Sequence, residues 1–493
     1  MAKLKNCSNC GKLALLISAL VAAPLLSLPF FPGEGRYWLS FAAPALASSL
    51  FGGLLCRFGR GAAGESDRQE ALKRSSLTVL FAWLWGIGWG AVPFVLSGQL
   101  TFLQALFESV SGWTTTGLSV MDVTKTPGVF LLYRSFMQYC GGLGFVMMMV
   151  MLIPNKQAMD LYSAEGHPDK LTPNLKKTAQ LIFAMYTAFL AVGTAAYALL
   201  GMPILDSVCH AMCALSTGGF STRLNSIGEY HSLPIEAVTM ALMLIGTTNF
   251  AVLLLLVRGR LRQGSQVSET RFLFLLLLIF IPVTGLSLAG GLHMGPGEAL
   301  RHGAFNVVSA LSTTGYATMS YAQWPPLALG ILILMMLVGG GMGSTAGGLK
   351  LTRVYLLLRI MGLNIKRRLR SQRSVEAPSY TKAQGKTRID EALCWDTVGF
   401  TGCYLLLFLA GSLLLTLTAD CGLTEAMFEF ASALGTVGLS IGLTGPATGA
   451  ATMLVEICGM LLGRLEIFIV LIGCCSGLQT LKSALKRHPG RSC

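Results

Sequence analysis

Four short segments of this chain carry the residue types that could strip water from a cation. They are Ser111-Gly-Trp-Thr-Thr-Thr-Gly117-Leu-Ser, Ala214-Leu-Ser-Thr-Gly-Gly219-Phe-Ser, Ala310-Leu-Ser-Thr-Thr-Gly315-Tyr-Ala and Ala433-Leu-Gly-Thr-Val-Gly438-Leu-Ser. Each reads Thr-x-Gly followed by an aromatic residue or Leu. A dehydrating K⁺ needs a cage of oxygens in place of its hydration shell, and backbone carbonyls supply one when several loops face a common axis. Glycine permits the backbone angles that aim successive carbonyls inward, and threonine adds a hydroxyl at the inner end. The candidate ion-binding residues are therefore Thr115, Thr116, Gly117 and Leu118; Thr217, Gly218, Gly219 and Phe220; Thr313, Thr314, Gly315 and Tyr316; and Thr436, Val437, Gly438 and Leu439. The last set is close to the T-V-G-Y-G filter of K⁺ channels. One Thr-x-Gly means little; four in register form a repeat.

The register extends upstream. Nine residues before each glycine stand Glu108, His210, Asn306 and Glu429, single polar residues in short amphipathic stretches. They suit an anchoring role, bonding to backbone nearby; direct ion contact is the alternative.

Such loops need a membrane frame. The chain has 493 residues, 53% hydrophobic and 12% charged, with mean hydropathy +0.63. Apolar runs long enough to cross a bilayer recur throughout, and runs such as Phe272–Val283 and Leu405–Leu417 lack the alternation of a barrel strand, so helices are expected. The expected fold is an all-α polytopic membrane protein: four helix–re-entrant loop–helix repeats around a single pore, preceded by a two-helix hairpin. The hairpin takes about 13–31 and 38–56 within residues 1–74. The repeats occupy 75–175, 176–265, 266–390 and 391–493, each with two spans flanking a polar Gly/Thr/Ser segment too short to cross. Non-helical backbone at membrane depth is tolerated where it lines a cavity or is buried in protein. The basic start and apolar stretch of residues 13–30 resemble a signal peptide, but a second span follows at once, so a retained hairpin is expected.

The net charge of +14 sits in a few loops: Arg57 to Arg74, Lys170 to Lys177, Arg258 to Arg262, Lys350 to Arg388, and the tail Lys482–Arg491. With the N-terminus cytoplasmic, every cluster falls inside, as the positive-inside rule requires. No aromatic residues interleave with these charges, which argues against nucleic acid. Cys140, Cys209, Cys213, Cys403, Cys458, Cys474 and Cys475 lie in apolar spans and read as small buried hydrophobes. Cys7 and Cys10 form a lone C-x-x-C without a second ligand pair for zinc. Six scattered histidines argue against a membrane enzyme. The parallel four-fold repeat argues against a secondary transporter of organic solutes, which would show two inverted halves.

On these segments the chain resembles the Trk/Ktr potassium-uptake family, in its Trk-type branch with the extra hairpin. The resemblance covers nearly the whole chain. Arg134-Ser-Phe-Met-Gln138 with Gly141-Gly-Leu-Gly144, the loop Lys170-Leu-Thr-Pro173, Gly339-Gly-Gly-Met-Gly-Ser-Thr-Ala-Gly-Gly-Leu-Lys350 and Gly463-Arg-Leu-Glu466 match it too. It implies K⁺ uptake without enzymatic chemistry or organic cofactor, K⁺ being bound at the filter residues. The setting would be a prokaryotic inner membrane. The four glycines would line the filter, and glycine rather than serine in the first goes, in related plant transporters, with K⁺ preference over Na⁺. Gly339, Gly340, Gly341, Gly343, Ser344, Thr345, Gly347 and Gly348 would form an intramembrane gate loop. So many glycines cannot sustain a helix, which agrees. Arg464 would face the pore beneath the filter as a barrier to cations; a pair with Glu466 is the alternative. The partners implied are membrane lipid, a second copy of the chain, and a cytosolic ring of nucleotide-binding subunits docked on the basic loop and tail. The chain itself has no nucleotide-binding glycine motif. A K⁺/Na⁺ or K⁺/H⁺ symporter of the same fold is the alternative function. Two departures stand out. Ala317-Thr-Met-Ser-Tyr321 lacks the acidic residue common after the third filter, although Asp122 follows the first. The gate segment has Met342 and Ala346 where smaller residues are usual.

Overall fold

The computed structural model describes residues 9–58, 68–144, 147–148, 175–369, 378–465, 467–468 and 470–476. Cys7, the loop Lys170–Pro173, Glu466 and the basic tail lie outside them. The fold is helical. Among the described residues six helices are long and apolar enough to cross a membrane: Asn9–Phe30, Glu34–Arg57, Ser76–Leu96, Lys176–Leu199, Ser268–Gly291 and Glu391–Thr418. The first two are the expected hairpin, and each of the other four opens one repeat.

The second helix of each repeat differs from expectation. Gly128–Leu143, Leu233–Thr247, Pro326–Val338 and Ala450–Arg464 have 16, 15, 13 and 15 residues. At 1.5 Å per residue these fall short of the roughly 30 Å apolar layer. Gly144 and Gly339 end the first and third with φ of 81° and 67°. Thr248 ends the second in an extended conformation, and the chain resumes as Phe250–Val257 after a 116° bend. The break was expected in the third repeat alone; the second repeat has one as well. The basic loop adds a two-stranded antiparallel hairpin, Ser379–Lys382 with Gly385–Arg388. The cysteines divide: Cys140, Cys209 and Cys213 are buried as expected and Cys403 partly so, but Cys458, Cys474 and Cys475 lie on the exposed helix surface, where an apolar thiol suits lipid.

The chain divides into two compact bodies. One comprises Met1–Leu106, Gly144–Leu181 and Leu465–Cys493. In it the hairpin helices pack through small residues: Ser18 Oγ donates to the Ala45 carbonyl at 2.5 Å, and Gly52 leaves room for Ala14 and Leu15. Small residues are the usual means of close helix packing in lipid. Trp85 donates to Ser48 Oγ at 3.0 Å and stacks on Phe81.

The other body, Phe107–Leu143 with Ile182–Arg464, contains all four Thr-x-Gly segments. There the opening helices of the third and fourth repeats support their own short re-entrant helices. Gly303 of Pro296–Leu311 sits against Gly285 of Ser268–Gly291, and Gly411 of Glu391–Thr418 leaves space for the ring of Phe430.

Candidate functional site

The four short helices Phe102–Trp113, Ile204–Leu215, Pro296–Leu311 and Leu423–Leu434 end in one and the same way. Just past each, a threonine takes a left-handed conformation: Thr115, Thr217, Thr313 and Thr436, with φ of 55°, 52°, 56° and 49°. The next amide reaches back five residues. Thr116 N–H donates to the Ser111 carbonyl at 3.0 Å, Gly218 to Cys213 at 2.8 Å, Thr314 to Ser309 at 3.0 Å and Val437 to Ser432 at 2.8 Å. This is the helix ending that glycine normally fills. A β-branched residue there is a backbone outlier, and such strain collects at functional sites. The glycine follows, again left-handed, with φ of 98°, 72°, 83° and 96° at Gly117, Gly219, Gly315 and Gly438.

These glycines close a ring. A methyl group on Gly117 would strike the carbonyl oxygen of Gly218; on Gly219, that of Thr314; on Gly315, that of Val437; on Gly438, that of Thr116. Each glycine therefore faces the carbonyl just before the next glycine, and the fourth returns to the first. The ring forms the floor of a cavity of about 770 Å³ lined by all four glycines and by Leu118, Phe220, Ala317 and Leu439. The residues following each glycine are buried as a cuff. Tyr316 donates to the Phe220 carbonyl at 3.2 Å and to that of His210 at 3.1 Å, tying the third segment to the second.

The threonine hydroxyls divide. Those of Thr116 and Thr314 turn into their own loops, 2.7 Å from Thr114 and 2.8 Å from Ser312. The hydroxyls of Thr115 and Thr436 are buried with no hydrogen-bond partner. An orphaned buried hydroxyl is costly unless something meets it.

The upstream polar residues anchor the returning strand. Glu108 accepts from Ser119 Oγ at 3.0 Å and from Val120 N–H at 3.3 Å. The His210 ring lies 2.9 Å from Ser221 Oγ, and Asn306 Nδ2 donates to Thr318 Oγ1 at 3.0 Å. Glu429 accepts from Ile441 N–H at 3.0 Å and Thr444 N–H at 3.2 Å. Each side chain thus spans 11 to 15 residues across its loop.

The Gly-rich segment 339–348 lies against the threonines. Thr345 Oγ1 is 3.2 Å from Thr217 Oγ1, Gly347 N–H donates to Thr313 Oγ1 at 2.9 Å, and a methyl on Gly347 would strike Thr436 Oγ1. The segment is held as non-helical backbone by Gly341 N–H to the Thr247 carbonyl at 2.9 Å and Thr345 Oγ1 to that of Gly246 at 2.9 Å. Arg464 joins it: Nη1 donates to the Thr345 carbonyl at 2.9 Å and Nη2 to that of Gly141 at 2.6 Å. The structure thus brings all sixteen ring-segment residues, the Gly-rich segment and Arg464 into one place.

The sequence reading gave no role to Arg134 and Gln138, although it singled out their motif. Arg134 pairs with Glu108, Nε to Oε1 at 2.6 Å, with both side chains buried, and its guanidinium lies 4.1 Å from the Phe220 ring centre. Gln138 donates to the Gly218 carbonyl at 2.5 Å and accepts from Phe220 N–H at 3.1 Å. The second helix of the first repeat thereby grips the loop of the second. An arginine in an apolar helix was the available signal, by the argument applied to Arg464. Glu456 was also missed; its carboxyl shares the Thr444 hydroxyl with Glu429, at 2.8 and 2.5 Å. At the cavity's edge Asp122 is held down to about 2 by hydrogen bonds from Thr124 and Lys125, so it stays negative.

Comparison with known proteins places this chain in a family. A family model described as "TrkH: Cation transport protein" matches residues 58–476. The "Trk system potassium uptake protein TrkH" of Halomonas elongata is 31% identical, over 94% of this chain and 96% of its own length. "Trk system potassium uptake protein TrkG" of Escherichia coli is 29% identical over the same shares. Among solved structures, "Crystal Structure of the Potassium Transporter TrkH from Vibrio parahaemolyticus" superposes with a TM-score of 0.80 at 26% identity, covering 94% of this chain and 96% of that one.

Proposed function

The chain belongs to the TrkH cation transport family, and from that premise we propose that it takes up K⁺ across a membrane through the ring at Gly117, Gly219, Gly315 and Gly438. The observation that carries this reading is the cyclic succession of glycines and carbonyls. Four backbone oxygens, from Thr116, Gly218, Thr314 and Val437, replace water around the ion. Carbonyl dipoles attract a cation without the full charge that would trap it. The orphaned hydroxyls of Thr115 and Thr436 extend the oxygen path inward. The segment 339–348 is the gate, since it touches three of the four threonines on that path. Arg464 holds the gate at Thr345 and adds positive charge there.

In the same reading the protein works as a pair of copies in a prokaryotic inner membrane, its N-terminus in the cytoplasm. A cytosolic nucleotide-binding subunit docks on the basic loop, which carries Lys382, Lys386 and Arg388 on its hairpin.

Rb⁺ uptake into proteoliposomes tests the proposal. Uptake should saturate, yield to K⁺ competition more than to Na⁺, and proceed without an imposed pH or Na⁺ gradient. Flux that appears only with one of those gradients would support the symport alternative. No Rb⁺ flux under any gradient would reject both.

A further inference from the structure

The tip of the Gly-rich segment is held from the basic-loop side by two residues that neither the sequence motifs nor the ring accounts for. Glu269 stands in the first turn of the helix Ser268–Gly291, and its Oε1 accepts from Met342 N–H at 2.6 Å. Asn249, at the 116° break in the second repeat, donates from Nδ2 to the Met342 carbonyl at 2.5 Å. Both backbone groups of one residue are therefore taken by side chains from two other helices. Phe250 N–H reinforces the hold through the Gly343 carbonyl at 3.2 Å. A helix break that presents Asn249 to this carbonyl is a specific arrangement, because the same side chain also caps the following helix, accepting from Ala251 N–H at 2.7 Å.

The clamp adjoins the cytoplasmic hairpin. Ser268, the residue before Glu269, accepts from Thr381 N–H at 3.0 Å. Tyr380 of the same strand packs with Leu356, Ile360 and Ile389. Leu356 and Ile360 belong to the helix Leu351–Leu369, which leads directly out of the Gly-rich segment. One short β-hairpin thus touches both the residue beside the clamp and the helix on the far side of the segment.

We propose that Glu269 is the residue that positions the gate: it latches Met342, and the hairpin Ser379–Arg388 is coupled to that latch through Ser268. This rests on reading 339–348 as the gate. A hydrogen bond to an ionised carboxylate is among the stronger single contacts in a protein. Its loss biases a two-position element by about tenfold. Asn249 works with Glu269, so their effects are not independent.

The experiment is Rb⁺ uptake by purified full-length variants in proteoliposomes, normalised to reconstituted protein. Glu269→Ala should raise the maximal rate about tenfold with the half-saturating Rb⁺ concentration unchanged. Damage to the fold cannot produce such a gain. Asn249→Asp keeps the cap acceptor but removes the donor to Met342, so it should act in the same direction. The two changes together should add little to either alone. Ser268→Ala should give a smaller rise of the same kind. A fifth variant, lacking residues 341–343, tests the gate reading itself. If that variant gains flux while Glu269→Ala and Asn249→Asp do not, the latch is overturned and the gate survives. If none of them gains flux, the gate reading falls with it. An unchanged Ser268→Ala beside an active Glu269→Ala overturns the hairpin's part.

Discussion

Replacing Gly315 by alanine should cut Rb⁺ uptake by at least about tenfold, whereas alanine at Gly201 should leave it within about twofold. Both glycines are left-handed, with φ of 83° and 89°. Both substitutions therefore carry the same backbone penalty, on the order of 1–2 kcal/mol for an L-residue in that region. They differ in surroundings. A methyl on Gly315 would strike the Val437 carbonyl and approach the Gly438 Cα at 2.9 Å, while nothing lies within 4 Å of the same position on Gly201. The Val437 group is backbone and cannot swing aside like a long side chain. It must shift, and with it one of the four oxygens offered to the ion. Growth of a K⁺-uptake-deficient bacterium at low K⁺ gives the same contrast without purification. Equal losses at the two sites would mean that strain, not the ring, limits transport.

Glu108→Ala should be the most destabilising single change at the site, by about 3–5 kcal/mol. It strands the Arg134 guanidinium, which is 2% exposed and faces the Phe220 ring. A buried pair contributes little against an apolar replacement, but half of one is costly. The double variant Glu108→Leu with Arg134→Met should therefore melt higher in detergent than Glu108→Ala alone. It should still transport poorly, because Glu108 no longer holds Ser119 and Val120 behind the first loop. Losses that simply add in the double variant would show that the two side chains do not act as a pair.

What could be read from the sequence was whatever repeats locally. The Thr-x-Gly cores and the polar residue nine positions upstream recur four times within short windows, and the structure joins them as anchors and loops. The Gly-rich segment was legible because its composition alone forbids a helix. Contacts between repeats were not. Gln138 and Gly218 are 80 residues apart in sequence, and nothing in either position names the other. The break in the second repeat was missed because no glycine run marks it: Thr248-Asn249 looks like any polar pair within an apolar stretch. The short strands around Gly385 sit in a basic loop, where charge masked their alternation. Among the described residues six helices are long enough to cross where ten spans were expected, and in the second repeat apolar composition persists across the break that ends the helix.

Transport through the ring requires the ion to sit among its four carbonyls. Crystals of the protein grown in RbCl and measured at the rubidium absorption edge locate it directly. Anomalous density on the axis enclosed by the carbonyls of Thr116, Gly218, Thr314 and Val437 is the predicted result. Density confined to the outer cavity beside Asp122, with none inside the ring, would contradict it.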